Sequence, residues 1–290
     1  MILSAQCEPM AKRFGLKESI KMLKEAGFDA FDLGQYSGCA ACQYFAGDDY
    51  VQIAKELREY IDTIGIVCNQ SHAPFATSTG DDEKDAQIFK NIVKSMEIAS
   101  ILGAKTIIVH PNQHLPYHDN IDELKAMNIK FYKRLIPYCE KFGIKVATEN
   151  MWQRMPGSNK IMESTCARCD EFCSYVDEVN SEWIVACLDI GHVPLASESL
   201  TNIIHALGHR IKALHVHDND FFEDSHTLPF TSKINFDDVC KALAEVNYNE
   251  DFTYEIAAFF NTIPDALIPS ALRFAHDVGR YLISTIEKHK

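Results

Sequence analysis

Short apolar runs alternate with longer amphipathic stretches along this chain. The short runs are rich in residues that favour strands, and the longer stretches carry apolar residues at three- and four-residue spacing, as helices do. This alternation is typical of parallel strands joined by crossover helices. The predicted strands are Met1–Cys7, Ala30–Leu33, Ile64–Cys68, Thr106–Val109, Lys145–Thr148, Ile184–Leu188, Ala213–Val216 and Phe252–Ile256. The predicted helices include Leu16–Ala26, Val51–Thr63, Asp85–Leu102, Leu124–Phe142, Ser199–Leu207, Phe236–Val246 and Ser270–Glu287.

The boundaries of these elements favour one barrel. Gly27, Gly65, Gly103 and Gly143 fall where predicted helices end, and no segment rich in Pro, Gly or Ser divides the 290 residues. We therefore predict an α/β fold with a single (β/α)8 barrel over residues 1–290. An open, doubly wound parallel sheet is the alternative.

Composition and charge narrow the class of protein. With 47% hydrophobic and 24% charged residues the chain is typical of a globular protein. The N-terminus lacks the pattern of a signal peptide and no apolar run is long enough to span a membrane, so we expect a cytoplasmic protein with free thiols at its ten cysteines. The net charge of −13, with no basic cluster, argues against a nucleic-acid partner.

Polar residues follow the predicted strands at the edge where barrel enzymes place their active sites. They are His72, His110, Glu149, Asp189, His192, His215, His217 and Glu255. Each follows an apolar run that we expect to be buried, where an uncompensated charge is costly. Three carboxylates and one imidazole from four successive strands, Glu149, Asp189, His215 and Glu255, form a ligand set that suits a divalent cation.

The motifs at these strand ends resemble those of the xylose isomerase-like barrel superfamily, which includes ketose 3-epimerases, hydroxypyruvate isomerase, inosose dehydratase and endonuclease IV. They are SHAPF at 71–75, VHP at 109–111, TEN at 148–150, LDIGH at 188–192, HVHDND at 215–220 and YE at 254–255. The resemblance covers almost the whole chain. Its order of motifs is specific to the superfamily but not to one reaction.

The resemblance to ketose epimerases implies one divalent metal ion, with Mn²⁺ expected first and Co²⁺, Mg²⁺ or Zn²⁺ as alternatives. It implies that Glu149, Asp189, His215 and Glu255 are the ligands, and that Glu149 and Glu255 exchange protons with the substrate. It also implies that His192 holds a substrate oxygen.

The predicted substrate is a small sugar or cyclitol without a phosphate group. The epimerases grip their substrate with an arginine after the seventh strand, but the segment HVHDNDFFEDSH at 215–226 contains none. Only Lys233 and Arg154 are near enough in sequence to meet a phosphate. The predicted substrate contacts are His72, His110, His192, His217 and Trp152, with Phe259 as an alternative stacking residue.

Three other functions remain open. Endonuclease IV binds three zinc ions, and His72, His110, Asp224 and His226 match the types of its additional ligands, so Asp224 and His226 are candidate extra metal ligands. A lyase, such as a cyclitol dehydratase or a subunit that cleaves carbon glycosides, would begin with the same proton removal. A barrel that only binds sugar is the non-catalytic alternative.

The remaining features have structural interpretations. Cys39 with Cys42, and Cys166 with Cys169 and Cys173, have spacings that can bind metal, but the second group also fits the buried face of a predicted helix over residues 165–179. We favour packing for both. The acidic run 81–83 is expected to cap the next helix, and Ala257–Phe260 to lie at a contact in a homo-oligomer.

Overall fold

The computed structural model describes residues 1–290 and contains ten strands. They are β1 (Leu3–Gln6), β2 (Ala30–Gly34), β3 (Val67–His72), β4 (Thr106–Ile108), β5 (Lys145–Glu149), β6 (Trp152–Arg154), β7 (Ile161–Glu163), β8 (Ile184–Asp189), β9 (Ile211–His215) and β10 (Phe252–Tyr254).

Eight of these strands are parallel and form the centre of the structure. Their order is β10-β1-β2-β3-β4-β5-β8-β9, and β6 and β7 form a separate antiparallel hairpin. Main-chain hydrogen bonds from Val216 to Thr253 and from Glu255 to Val216 join β9 to β10 and close the barrel. The predicted barrel is therefore confirmed, and the open sheet is excluded.

Helices surround the barrel and end close to the predicted positions. Gly27, Gly65, Gly103 and Gly143 adopt the left-handed conformation that ends a helix. None of the helices has the length and apolar character needed to cross a bilayer. The helices are α1 (Glu8–Phe14), α2 (Leu16–Ala26), α3 (Ala40–Tyr44), α4 (Tyr50–Ile64), α5 (Asp82–Leu102), α6 (Ile121–Phe142), α7 (Cys169–Val179), α8 (His192–Leu195), α9 (Leu200–Leu207), α10 (Phe236–Glu245) and α11 (Ile268–His289), with 3₁₀ turns at Tyr117–Asp119, Gly208–Arg210, Ala257–Phe260 and Asp265–Leu267.

The third strand is shifted from its predicted position because its inward-facing residues are polar. Ile64, which we assigned to the strand, is the last residue of α4. The strand instead continues through polar residues that are satisfied inside the barrel: Ser4 Oγ donates to Asn69 Oδ1 at 2.7 Å, and Gln70 Nε2 donates to Asp32 Oδ2 at 3.0 Å. A polar interior layer therefore lies beneath the mouth of the barrel.

The cysteine-rich helix begins later than predicted. Cys166 has a φ of 62° and lies before α7, so it is not part of a helical stripe. The buried face of α7 is formed by Phe172, Tyr175 and Val179, and all ten cysteines of the chain are free thiols.

Two other expectations concern local structure. Asp81 does cap the next helix, because its side chain accepts hydrogen bonds from the main-chain N–H groups of Glu83 and Lys84. Phe260, in the segment that we expected at a subunit contact, is buried within the chain.

Gly279 allows the last helix to pack closely against the first strand. A Cβ atom at this position would lie 2.6 Å from Leu3 Cδ1 and 3.1 Å from Tyr254 Cε2. Both neighbours are completely buried. The contact therefore leaves no space for a methyl group.

Gly279→Ala should destabilise the protein although alanine favours helix formation. We expect the free energy of unfolding to fall by about 1–2 kcal/mol, because overpacking in a closed core outweighs a propensity gain of about 1 kcal/mol. Urea denaturation in the presence of a metal chelator measures it. Ser284→Ala, on the exposed face of α11, is the control, and an equally stable Gly279→Ala protein would show that the core relaxes around the methyl group.

Candidate metal centre

Four side chains meet where β5, β8, β9 and β10 end. Glu149, Asp189 and His215 are the last residues of β5, β8 and β9, and Glu255 directly follows β10. Their ligand atoms all lie within 4.8 Å of one another, and all four residues are buried. The structure thus brings together the four residues that the sequence suggested as metal ligands.

The Nδ1 atom of His215 faces the carboxylates of this group. It lies 3.1 Å from Glu149 Oε1, 3.0 Å from Glu255 Oε2 and 4.0 Å from Asp189 Oδ2. The other ring nitrogen, Nε2, points away from the group and lies 3.7 Å from Asp32 Oδ2. Asp32 is completely buried, so its carboxylate places negative charge behind the imidazole, although the distance is too long for a hydrogen bond.

Neighbouring amides fix the carboxylates. Gln6 Nε2 donates to Glu255 Oε1 at 2.7 Å. Asn150 pairs with the main chain of Asp189, donating from Nδ2 to its carbonyl at 2.9 Å and accepting its N–H at 2.8 Å. Because each contact is made by a buried side chain, the group has little freedom to rearrange.

The two glutamates remain ionised in this setting. Burial by itself raises the pKa of Glu149, but the imidazoles of His215 and His110 outweigh that effect and hold its pKa well below the usual value. Burial likewise raises the pKa of Glu255, and His215 and His226 hold its pKa well below the usual value. Both carboxylates are therefore ionised near neutral pH.

The donor set fits a divalent cation. Three carboxylates surround Nδ1 of His215, and the buried Oδ2 atom of Asp189 has no hydrogen-bond partner in the protein. Buried unpaired oxygens of this kind are costly without a counter-charge. A mixed set of oxygen and nitrogen ligands suits Mn²⁺, Mg²⁺, Co²⁺ or Zn²⁺ and does not select one of them.

A cleft of about 600 Å³ opens above this group. His72 and His110 form one wall, with their Nε2 atoms 2.8 Å apart and His110 Nε2 3.2 Å from Glu149 Oε2. Phe75 stacks on His110, with ring centroids 4.8 Å apart. No lysine or arginine lines the cleft, although Glu149, Asp224 and Glu255 do.

Of the other residues that the sequence suggested as substrate contacts, some line the cleft and some do not. Trp152, His192, Asp224 and His226 line the cleft together with His72 and His110. Those that do not line the cleft are Phe259, Lys233, Arg154 and His217, of which His217 is completely buried and stacks on His226.

Sequence reasoning missed several residues of this region, among them Gln6, Asp32, Tyr36 and Phe75. Gln6 donates a hydrogen bond to Glu255, Asp32 lies behind the imidazole of His215, and Tyr36 and Phe75 line the cleft. A charged residue inside the apolar strand AFDLG could have indicated Asp32, and Phe75 belongs to the SHAPF motif. Nothing in the sequence marked Gln6 or Tyr36.

Comparison with known proteins places these features in a family. Residues 20–275 match the family model described as "Xylose isomerase-like TIM barrel". The chain is 21% identical over 242 residues to D-psicose 3-epimerase of Enterocloster bolteae, an alignment that covers 80% of this chain and 73% of that protein. It is 25% identical to an uncharacterised protein of Methanocaldococcus jannaschii, over 81% of this chain and 76% of the relative.

Solved structures share the fold at low sequence identity. The IOLI protein with a bound zinc atom has a TM-score of 0.78 and 18% identity, over 100% of this chain and 99% of the other. A D-tagatose 3-epimerase-like protein has a TM-score of 0.75 and 20% identity, over 100% of this chain and 98% of the other.

Asp32→Asn tests the support behind His215. The substitution keeps the shape but removes the negative charge facing Nε2, so we expect affinity for Mn²⁺ or Zn²⁺ to fall about 10–100-fold. Competition with a chelating dye measures this affinity, and Asp48→Asn, at an exposed position, is the control. Unchanged affinity would mean that Asp32 does not contribute to the centre.

Proposed function

Because this chain belongs to the xylose isomerase-like TIM barrel family, we propose that it is a metal-dependent isomerase or epimerase of a small, non-phosphorylated ketose or cyclitol. The observation that carries the proposal is the group Glu149, Asp189, His215 and Glu255 at the floor of a cleft that no lysine or arginine lines. Two of its members are ionised glutamates that also line the cleft.

The chemistry follows from these two glutamates. A divalent cation held by the four residues would polarise a substrate carbonyl, acidify the neighbouring C–H and stabilise the enediolate left by its deprotonation. One glutamate removes this proton, and the other returns a proton to the opposite face, which gives epimerisation. Return of the proton to the neighbouring carbon gives isomerisation.

The remaining walls suit a neutral polyhydroxylated molecule. His72 and His110 offer ring nitrogens for hydroxyl groups, while Trp152, Tyr36 and Phe75 offer aromatic surface for the apolar face of a sugar. A phosphate would instead meet Glu149, Asp224 and Glu255 without a lysine or arginine to pair with it. Both features support a free sugar or cyclitol.

A lyase that begins by removing the same proton would need the same metal ion and the same glutamate base. Solvent-deuterium exchange into a panel of ketoses and inososes separates the cases. Deuterium beside the carbonyl in a recovered epimer or isomer supports the proposal. Loss of water or of an aglycone would assign a lyase, and absence of exchange with every compound, in protein of known metal content, would count against both.

A metal-dependent phosphodiesterase is the second candidate, and the His72–His110 pair is the observation that favours it. These two imidazoles and Glu149 could hold an additional cation. The net charge of −13 and the absence of lysine and arginine from the cleft weigh against a DNA substrate. Zinc-dependent cleavage of duplex DNA at abasic sites, without deuterium exchange into sugars, would favour this candidate instead.

Glu149→Gln and Glu255→Gln should each abolish turnover in a folded protein. We expect solvent-deuterium exchange to fall by about 10³-fold or more, because the amide cannot accept the substrate proton. Glu140→Gln, on the exposed face of α6, is the matched control. Metal content is measured in parallel at saturating Mn²⁺, and substantial exchange in both metal-loaded variants would refute the roles of the glutamates.

A second prediction concerns the substrate. The free ketose that exchanges deuterium fastest should have a kcat/KM about tenfold or more above the kcat/KM of the same ketose carrying a phosphate. A tenfold ratio corresponds to a difference of about 1.4 kcal/mol in transition-state stabilisation. Direct competition between the two compounds measures the ratio. Preference for the phosphorylated compound would overturn the assignment to neutral substrates.

A further inference from the structure

The last helix, together with the residue before it, carries a second apolar stripe on its outward side. One face of α11 is buried against the barrel, where Gly279 lies close to Leu3. Beside that face, apolar residues recur at alternating four- and three-residue spacing, which is the heptad spacing by which helices pack against one another: Leu267, Ala271, Phe274, Val278 and Tyr281. Leu267, Phe274 and Tyr281 are more than half exposed. A helix that packs only against its own barrel needs a single apolar stripe, so the second stripe has no partner within the chain.

Phe230 extends this stripe from a neighbouring loop. Its ring centroid lies 5.9 Å from that of Tyr281 and 5.7 Å from that of Phe236, which is buried. The side chain of Phe230 is itself half exposed. Contiguous apolar side chains at a surface mark sites of contact between proteins. We call the combined surface the α11 patch, and it consists of Phe230, Leu267, Ala271, Phe274, Val278 and Tyr281.

The main chain of Phe230 is held in a conformation that large side chains rarely adopt. Its φ of 71° lies in the left-handed region, which is costly for a residue with a Cβ atom. The loop is fixed around it, because the buried carboxylate of Asp218 accepts the main-chain N–H groups of Ser232 at 2.8 Å and Ile234 at 2.9 Å. Such strain persists only where the surrounding structure imposes it, and it is concentrated at functional positions. At Phe230 it places an apolar ring at the surface, which indicates a contact there.

A shallow hollow and an exposed ring lie next to each other on the α11 patch. The hollow is lined by Phe230, Val278, Tyr281, Asp237 and Asp277. Phe274, which is 56% exposed, precedes Val278 by four residues, or about 6 Å along the helix axis. The patch therefore offers both a ring that can be inserted and a space that can receive one.

The charges beside the ring and around the hollow are opposite in sign. Arg273, which is next to the exposed ring in sequence, donates to Ser270 Oγ at 3.2 Å and has no carboxylate within ion-pair distance. Asp237 makes no ion pair, and the only ion-pair contact of Asp277 is with Nδ1 of His276, at 3.1 Å. A cationic group thus lies beside the ring, and two carboxylates lie around the hollow.

From this arrangement we propose that the α11 patch joins two copies of this chain, related by a twofold axis with their α11 helices antiparallel. With the axis at the level of His276, Phe274 of each copy lies opposite Val278 of the other and fills its hollow. Tyr281 of each copy lies opposite Ala271 of the other, so large side chains face small ones. Both copies use the same surface, as a twofold contact requires.

The same pairing brings the opposite charges together. Antiparallel helices related by a twofold axis present the same flank to each other, and Arg273 and Asp277, four residues apart, lie on one flank of α11. Arg273 of one copy is then about 3 Å along the axis from Asp277 of the other. A parallel arrangement would turn this flank toward the opposite side of the other helix, where Ala275 and Leu282 are buried in their own chain. The charges therefore favour a second copy in the antiparallel orientation.

This proposal does not depend on the reaction catalysed in the cleft. Its residues differ from Ala257–Phe260, the segment that the sequence suggested for a subunit contact, and none of them lines the cleft. Phe230 belongs to the loop between β9 and α10, which also carries Asp224 and His226 of the cleft wall. A second copy at the α11 patch thus contacts the outer part of this loop.

Sedimentation equilibrium of the whole chain tests the proposal. We expect the wild type to be mainly dimeric at about 100 µM, a concentration at which even a small interface is occupied. Phe274→Glu brings a carboxylate to the acidic hollow of the other copy and should raise the dissociation constant about tenfold or more. Phe222→Glu, at a phenylalanine that is more exposed and lies outside the patch, is the matched control and should retain the wild-type value. A monomeric wild type, or a dimer that a folded Phe274→Glu variant leaves unchanged, would overturn the proposal.

A mixing experiment tests the pairing itself. Arg273→Glu and Asp277→Lys should each weaken the dimer, because each places like charges opposite each other. An equimolar mixture of the two variants should associate with the affinity of the wild type, since opposite charges then meet in both halves of the contact. A mixture that associates as weakly as its components, or single variants that associate like the wild type, would contradict the antiparallel pairing. These measurements record mass rather than turnover, so failure of this contact and failure of the proposed function are distinguishable.

Discussion

Negative charge buried at the mouth of the barrel is the constraint on which the site depends. Glu149, Asp189 and Glu255 converge on Nδ1 of His215, and all four residues are buried. Three buried carboxylates in contact repel one another unless positive charge compensates them, and a divalent cation between them would supply that charge. Neighbouring side chains support this group. Asp32 lies behind His215, Gln6 donates to the Glu255 carboxylate, and Asn150 donates to the main-chain carbonyl of Asp189.

The architecture could be predicted from the sequence because each strand and helix has its own periodic signal. The errors occurred where that signal was absent. In β3 the residues Asn69, Gln70 and Ser71 read as a polar loop, but their partners are supplied by β1, β2 and β10, which are distant in sequence. The β6–β7 hairpin was missed because its strands have only three residues each and half-buried side chains.

The composition of the site was predictable for a different reason. Parallel strands in a barrel end at the same face, so residues that follow successive strands must lie close together whatever the loops do. Orientation was not predictable. His72, His192 and His217 all lie at the ends of strands or just beyond them, yet His217 is turned behind the cleft because Gly191 leaves room for its ring. The roles of Gln6 and Asp32 likewise depend on distances that only the folded barrel sets.

The central claim is that a divalent cation occupies the Glu149 group. Anomalous X-ray diffraction from crystals grown with excess Mn²⁺, measured above and below the manganese absorption edge, tests it most directly. The account predicts an anomalous peak within bonding distance of oxygen atoms of Glu149, Asp189 and Glu255 and of His215 Nδ1. Well-ordered side chains with no peak between them, in crystals that contain manganese elsewhere, would contradict it.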